Sequence, residues 1–384
     1  MNGGRPDRPV TVCLGAGGVG KTTVAAALGV AAAEAGRTAM VLTIDPAHRL
    51  AQILGLDATG LDHEPRLVSG PWPGELWAAM LDPAATFAAA VTAEPGGDQV
   101  LRHRLVDLVT TTLSGVNEYM AVERLDQLRQ EDRFDRIVVD TPPARHAIDF
   151  LDSPGRLIRM IDNRLFGALI ASSPRPVGVF RNPLGNAARL MARLVGRVVG
   201  SELVGDVVDL FAALNGMADG FRERAARTTA LLAGPSTGYT VVSSARREPL
   251  DQARWIMEQL RVRQLRTHQL VINRLTPFPP VDPPTTGLVP DPAGDRPGQF
   301  GPSDPAGTLT AEDPLARNLA ELRWLSAHER ALVSEVLDGL RLQDSIADNV
   351  VELLERSDAM TNLAQLRSLA GELSQDRSGP TTGG

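Results

Sequence analysis

Cysteine is almost absent from this chain of 384 residues: Cys13 stands alone. A single thiol excludes an intramolecular disulfide framework and any cysteine-built zinc cluster within one chain. Its place in the apolar run Val10-Thr11-Val12-Cys13-Leu14 marks it as a small buried residue. Aromatic residues make up 4% of the chain against 43% hydrophobic residues, so a large core is possible and must be built from Leu, Val, Ile and Ala. No run of about 18 apolar residues occurs, so no membrane-spanning helix is expected. Met1 to Pro9 is polar and rich in Gly, Pro and Arg, without the apolar segment of a signal peptide. A cytoplasmic location is therefore expected. Basic blocks are missing too: arginines are interleaved with Asp and Glu and the net charge is −7, which argues against a nucleic-acid partner.

The scarcest residue type with chemical meaning is lysine. Lys21 is the only one, and every other member of the 39 basic residues is arginine. It lies in Gly15-Ala16-Gly17-Gly18-Val19-Gly20-Lys21-Thr22-Thr23, between the apolar run from Val10 and the Ala-rich run Val24 to Ala35. Strand, glycine loop and helix follow one another, and the loop fits the phosphate-binding pattern G-x-x-x-x-G-K-[ST] at every position. Gly17, Gly18, Val19, Gly20, Lys21, Thr22 and Thr23 are thus candidates for holding the phosphates of ATP. Glycines let backbone N–H groups converge on phosphate oxygens, and the helix N-terminus adds partial positive charge at the same point. Lys21 is placed to reach the β- and γ-phosphates, and the Thr22 hydroxyl can hold Mg²⁺. A compact ammonium fits a tight phosphate nest that a planar guanidinium cannot enter. Gly15, Gly17 and Gly20 also satisfy G-x-G-x-x-G, but a dinucleotide site needs no Lys-Thr pair directly after its third glycine.

Downstream, apolar strands are expected at Thr38–Ile44, Leu76–Leu81, Arg136–Asp140, Tyr239–Ser243 and Gln269–Asn273, alternating with helical stretches that include Leu250–Arg261. Such alternation predicts an α/β fold, a mostly parallel sheet covered by helices on both faces. A helical subdomain is expected at about 83–130, with a turn near Ser114-Gly115, and at 157–232, where Leu203, Val207, Leu210, Phe211, Leu214, Met217 and Phe221 recur at helical spacing. These apolar residues read as core in preference to a client groove. Residues 276–310, rich in Pro, Gly and Asp, read as a linker or disordered loop. Leu315–Leu340 and Ser345–Leu373 read as amphipathic helices within a C-terminal unit at 311–373, and 374–384 as a disordered tail. Two aspartates end strands beside the glycine loop, where open α/β sheets bind ligands. Asp140 is the candidate Mg²⁺ partner. Asp45 reads either as a functional group or as the N-cap of a helix from Ala47. His146 reads equally as a group behind the site and as a solvent-facing side chain.

Four stretches together resemble the arsenical-pump ATPase and tail-anchored-protein targeting ATPase family, a deviant Walker-A branch of the P-loop NTPases: GAGGVGKTT at Gly15 to Thr23, TIDPAHRL at Thr43 to Leu50, DTPPARHAIDFL at Asp140 to Leu151, and VINR at Val271 to Arg274. The likeness covers residues 8–275, and implies a dimeric Mg-dependent ATPase with a protein client. By this resemblance Lys21 and Asp45 are catalytic, with Asp45 in switch I orienting the attacking water. Asp140 falls in the Walker-B and switch II segment, and Asn273 hydrogen-bonds the adenine. Members of the family carry a lysine directly after the first glycine, reaching across the dimer, and here that position is Ala16. A heterodimer with a paralogue that keeps the lysine is one resolution, and a trans contribution from Arg145 is another. Cysteine pairs for zinc or arsenite are missing, so arsenite binding is not expected. Three functions remain in play: an ATP hydrolase acting on a protein client, a nucleotide-binding regulatory subunit, and a partition or division ATPase. The last is disfavoured by the acidic, polar C-terminal helix.

Overall fold

A phosphate loop needs a strand before it and a helix after it, and both form. The computed structural model describes residues 9–56, 61–95, 97–101, 116–161, 217–278, 314–342, 349–356 and 363–375. Strand β1 (Val10–Gly15) is buried throughout and passes through the glycine loop into α1 (Lys21–Glu34). Because α1 carries no charge between its two ends, it can be buried on nearly every side, and Val24 to Ala27 and Val30 are each at 0% exposure. It stops where Gly36 takes the left-handed conformation at φ 75°.

The chain continues through β2 (Thr38–Thr43), α2 (Arg49–Ile53), β3 (Arg66–Val68), β4 (Glu75–Met80), α3 (Pro83–Thr92), α4 (Gly97–Leu101), α5 (Val116–Gln130) and β5 (Arg136–Asp140). It then forms α6 (Ala144–Ile161), α7 (Ala218–Ala233), β6 (Thr237–Ser244), α8 (Arg247–Val262), β7 (Thr267–Leu275), α9 (Pro314–Leu342), β8 (Asn349–Leu354) and α10 (Leu363–Gln375). The eight strands make one sheet in the order β3-β4-β2-β5-β1-β6-β7-β8. All neighbours are parallel except β3 and β4. The α/β expectation therefore holds. One face packs α1 and α10, through residues such as Val24, Val30, Leu366 and Leu373. The other packs α5, α6, α8 and α9, through Leu125, Phe150, Ile256 and Val333. A third cluster joins α3, α4, α5 and α7 through Phe87, Val91, Val100, Met120 and Phe221. Among the described residues, no helix is long and apolar enough to cross a membrane.

Two elements differ from the sequence expectation. Ser345–Leu373 is not a single helical stretch, because β8 forms within it and pairs parallel with β7 before α10 begins. Six residues of mixed propensity, Asn-Val-Val-Glu-Leu-Leu, take the strand form because β7 offers its open edge; Val351 and Leu353 turn inward while Glu352 and Leu354 face out. The short β3, absent from the sequence reading, adds an antiparallel edge to β4. Asp45 does not cap a helix from Ala47 either: α2 starts at Arg49, and His48, at φ 37°, occupies its N-cap. Met217 and Phe221 are core residues as expected, whereas Leu203, Val207, Leu210, Phe211 and Leu214, the proline-rich stretch from 279 and the tail from 376 lie outside the described residues.

Candidate functional site

Sheet register gathers the motifs. Cys13 of β1 and Thr43 of β2 both pair with Asp140 of β5, and Ser244 of β6 pairs with Asn273 of β7. The carboxyl ends of five strands therefore surround the glycine loop, at the point where the chain order reverses on either side of β1. Gly18 (φ 76°) and Gly20 (φ 96°) take left-handed conformations that turn the loop, and a Cβ on Gly20 would collide with the Asn273 side chain. Gly17 and Gly18 are exposed at the mouth of the site, while Val19 is buried beneath it.

Lys21 is 8% exposed, and its ammonium donates to the Ala16 carbonyl at 2.8 Å. Burial pushes its pKa below the ordinary lysine value, against the opposing fields of Asp140 and Asp45. The ammonium thus waits with a weak carbonyl partner that a phosphate oxygen would replace. Asp140 is fully buried. Its Oδ2 accepts from the Thr43 hydroxyl at 3.0 Å, while Oδ1 is buried without a hydrogen-bond partner. Burial raises its pKa from 3.8 to about 6, with the Thr22 and Thr43 hydroxyls and Lys21 pulling the other way. A buried carboxylate oxygen left without a donor is the ligand that a hard cation seeks, and the Thr22 hydroxyl lies beside it. Among the described residues no group of three His, Cys, Asp or Glu could hold a metal. The residues present fit Mg²⁺ of the kind held by one carboxylate and one hydroxyl, with substrate phosphate and water completing the shell.

Asp45 lies half-buried after β2, where its Oδ1 accepts from the Ala47 N–H at 3.1 Å and its own N–H donates to Thr43 Oγ1 at 3.3 Å. Its carboxylate is near enough to act on the Lys21 ammonium, and β2 lies on the opposite side of β1 from β7 in the sheet. Asn273 sits at the far lip: its Nδ2 donates to the Val19 carbonyl at 2.8 Å, and its Oδ1 accepts the Arg274 N–H at 3.0 Å. Thr23 is half-buried on the first turn of α1. His146 is solvent-facing, with Nδ1 3.7 Å from Glu118 Oε1. The Arg145 side chain lies outside the described residues.

Beside the loop opens a cleft of about 590 Å³, running from Gly17–Val19 across the start of α8 to α9. The sequence reading missed the far wall of this cleft and the role of Thr43. Thr43 opens the Thr43–Leu50 motif and could have been singled out by its position two residues before Asp45. Nothing local marks the α9 residues, which reach the site only through the β7-to-β8 crossover.

Residues 9–284 match the family described as anion-transporting ATPase. Over 190 residues the chain is 34% identical to ATPase ARSA1 of Chlamydomonas reinhardtii, covering 42% of this chain and 24% of that protein. It is 33% identical over 156 residues to an ATPase ASNA1 homolog of Babesia bovis, covering 39% and 40% of the two chains. With ATPase GET3 of Rhodotorula glutinis the identity is 26% over 262 residues, 68% of each. The chain thus spans less than half the length of the first two of these relatives.

Proposed function

Since this chain belongs to the anion-transporting ATPase family, we propose that it binds ATP with Mg²⁺ and hydrolyses it to drive a conformational change that acts on a protein client. The observation that carries the reading is the pairing of Lys21, parked on a backbone carbonyl, with Asp140, whose buried Oδ1 lacks a donor. Lys21 and the loop amides of Gly17 to Thr23 would bind the β- and γ-phosphates. Thr22 and Asp140 would hold Mg²⁺, which when bound draws charge from those phosphates. Asp45 would orient the water and accept its proton, which its half-buried place beside Lys21 supports. Asn273, with one amide hydrogen beyond its bond to Val19, would serve the adenine.

One observation favours a regulatory variant of this reading. Ala16 is 4% exposed, and its single methyl group supplies no cation to a neighbouring subunit. The chain would then work as a dimer, paired with a paralogue that supplies the missing charge.

Two variants separate the proposed tasks. Lys21→Arg keeps the charge and changes only its shape, and is expected to abolish tight ATP binding in equilibrium titration. Asp45→Asn is expected to keep ATP affinity while lowering turnover about 10²-fold to 10⁴-fold. Unchanged affinity in Lys21→Arg would remove the phosphate-loop reading, and unchanged turnover in Asp45→Asn would remove Asp45 from the chemistry.

A further inference from the structure

Helix α9 lies wholly beyond the matched residues 9–284, yet it forms one wall of the cleft beside the glycine loop. It also grips the end of β7. Glu329 Oε2 accepts the Thr276 N–H at 2.7 Å, and the Ser326 hydroxyl donates to the Thr276 carbonyl at 3.1 Å, with all three residues buried. Just past β8, the Glu355 N–H donates to the Leu275 carbonyl at 2.7 Å. These bonds fix the backbone immediately after Arg274, which sits at φ 62°. A residue other than glycine keeps that left-handed conformation only where its surroundings over-determine it. On the other side of Arg274, the Asn273 amide ties the same corner to the Val19 carbonyl. A continuous set of contacts therefore runs from Glu329 through Thr276, Arg274 and Asn273 to the glycine loop.

We propose that Glu329 is a positioning residue for nucleotide recognition: it holds the Asn273–Thr276 corner so that the cleft between the loop and α9 accepts the base and ribose of the nucleotide. This rests on the reading that the loop binds ATP phosphates. The cleft suits a flat heteroaromatic group, since Leu325 and Leu332 of α9 give an apolar wall while Arg246, Arg247 and Arg274 give a polar rim. Removing the Glu329 oxygen would leave the Thr276 N–H buried without an acceptor and release the corner.

The test compares equilibrium binding of ATP and of inorganic tripolyphosphate, which offers the loop its ligand without a base, to the full-length protein. Glu329→Ala is expected to weaken ATP binding about tenfold or more and to leave tripolyphosphate binding unchanged. Glu329→Gln keeps an acceptor oxygen and is expected to bind ATP as the unaltered protein does. Leu325→Trp changes a residue that is 36% exposed, so its larger ring fills the cleft without disturbing the core, and it should show the same split between the ligands. Equal losses for both ligands, ATP binding unaffected in Glu329→Ala, or ATP binding unaffected in Leu325→Trp would overturn the proposal. So would an unaltered protein that binds ATP no more tightly than tripolyphosphate. Failure of the unaltered protein to bind either ligand would instead defeat the ATP reading itself, and this inference with it.

Discussion

Asp140 concentrates the electrostatic conflict of the site in one side chain. Its position at the end of a central strand removes it from water, and one oxygen has no donor. Its pKa stands at about 6 against an ordinary 3.8, with burial as the largest cause. A carboxyl raised in the folded state contributes stability that is fully present below its unfolded pKa and lost as pH rises through the folded value. At pH 7.5 the ionised form therefore destabilises the fold by about 3 kcal/mol relative to the protonated form. Asp140→Asn preserves the shape and removes the titration. Urea unfolding in the presence of chelator should show the variant more stable than the unaltered protein at pH 7.5, with the gain shrinking as pH falls through about 6 and gone near pH 4. A gain of the same size at both ends of that range would contradict the assignment of the strain to this carboxyl. Lys21, Thr22 and Asp140 were all legible as residue types at motif spacing, whereas the turn that Asp45 makes with Ala47, and the left-handed His48 at φ 37° that follows it, were not.

Among the elements, α7 is joined to α3 and α5 by a buried ionic cluster. Arg224 of α7 pairs with Glu94, in the turn after α3, and its Nε lies 3.3 Å from Glu123 Oε1 of α5. The Tyr119 hydroxyl donates to the other Glu123 oxygen at 2.8 Å, and the guanidinium sits 4.5 Å over the Phe221 ring. Burial raises the Glu123 pKa, while Tyr119 and Arg224 hold it down. Removing one partner of such a cluster leaves the other charges buried and uncompensated, which costs about 3–5 kcal/mol, whereas replacing all of them with apolar groups is often neutral. Arg224→Met is accordingly expected to lower unfolding stability by that amount, and adding Glu94→Leu and Glu123→Leu to recover most of it. A loss under about 1 kcal/mol in the single variant would show the cluster to be solvated and the helices held by Phe87, Met120 and Phe221 alone. None of this pairing is visible in sequence, because Glu94, Glu123 and Arg224 lie far apart in the chain and each reads alone as a surface charge. The strand β8 was missed for a related reason: local propensity is weak over six residues, and the open edge of β7 decides.

At the scale of the whole molecule, the proposed ATP hydrolysis would call for a second cation supplied in trans. All the parts proposed to hold ATP lie within this chain, but Ala16 offers nothing to a second subunit. A missing trans cation can cost about 10³-fold to 10⁵-fold in rate. The purified chain is therefore expected to bind ATP and turn it over slowly. Addition of a paralogue carrying lysine at the corresponding position should restore turnover, and mutation of that lysine should silence it again. Full turnover by this chain alone, undiminished in Arg145→Ala, would defeat both the heterodimer and the Arg145 alternative.

The sequence by itself determined the chemistry-bearing loop, the strand-helix alternation and the two strand-end aspartates, because those depend on residue type, short spacing and periodicity. A lone lysine after a glycine loop and apolar runs that end in Asp45 and Asp140 carry their meaning within a few residues. Tertiary structure alone decided that Thr43 braces Asp140, that the segment after Asn273 is clamped by Glu329 and Ser326, and that the C-terminal residues add a strand and cover α1. Each of these joins residues tens to hundreds of positions apart, and is chosen by which backbone groups remain unpaired and which faces remain bare once the sheet has formed.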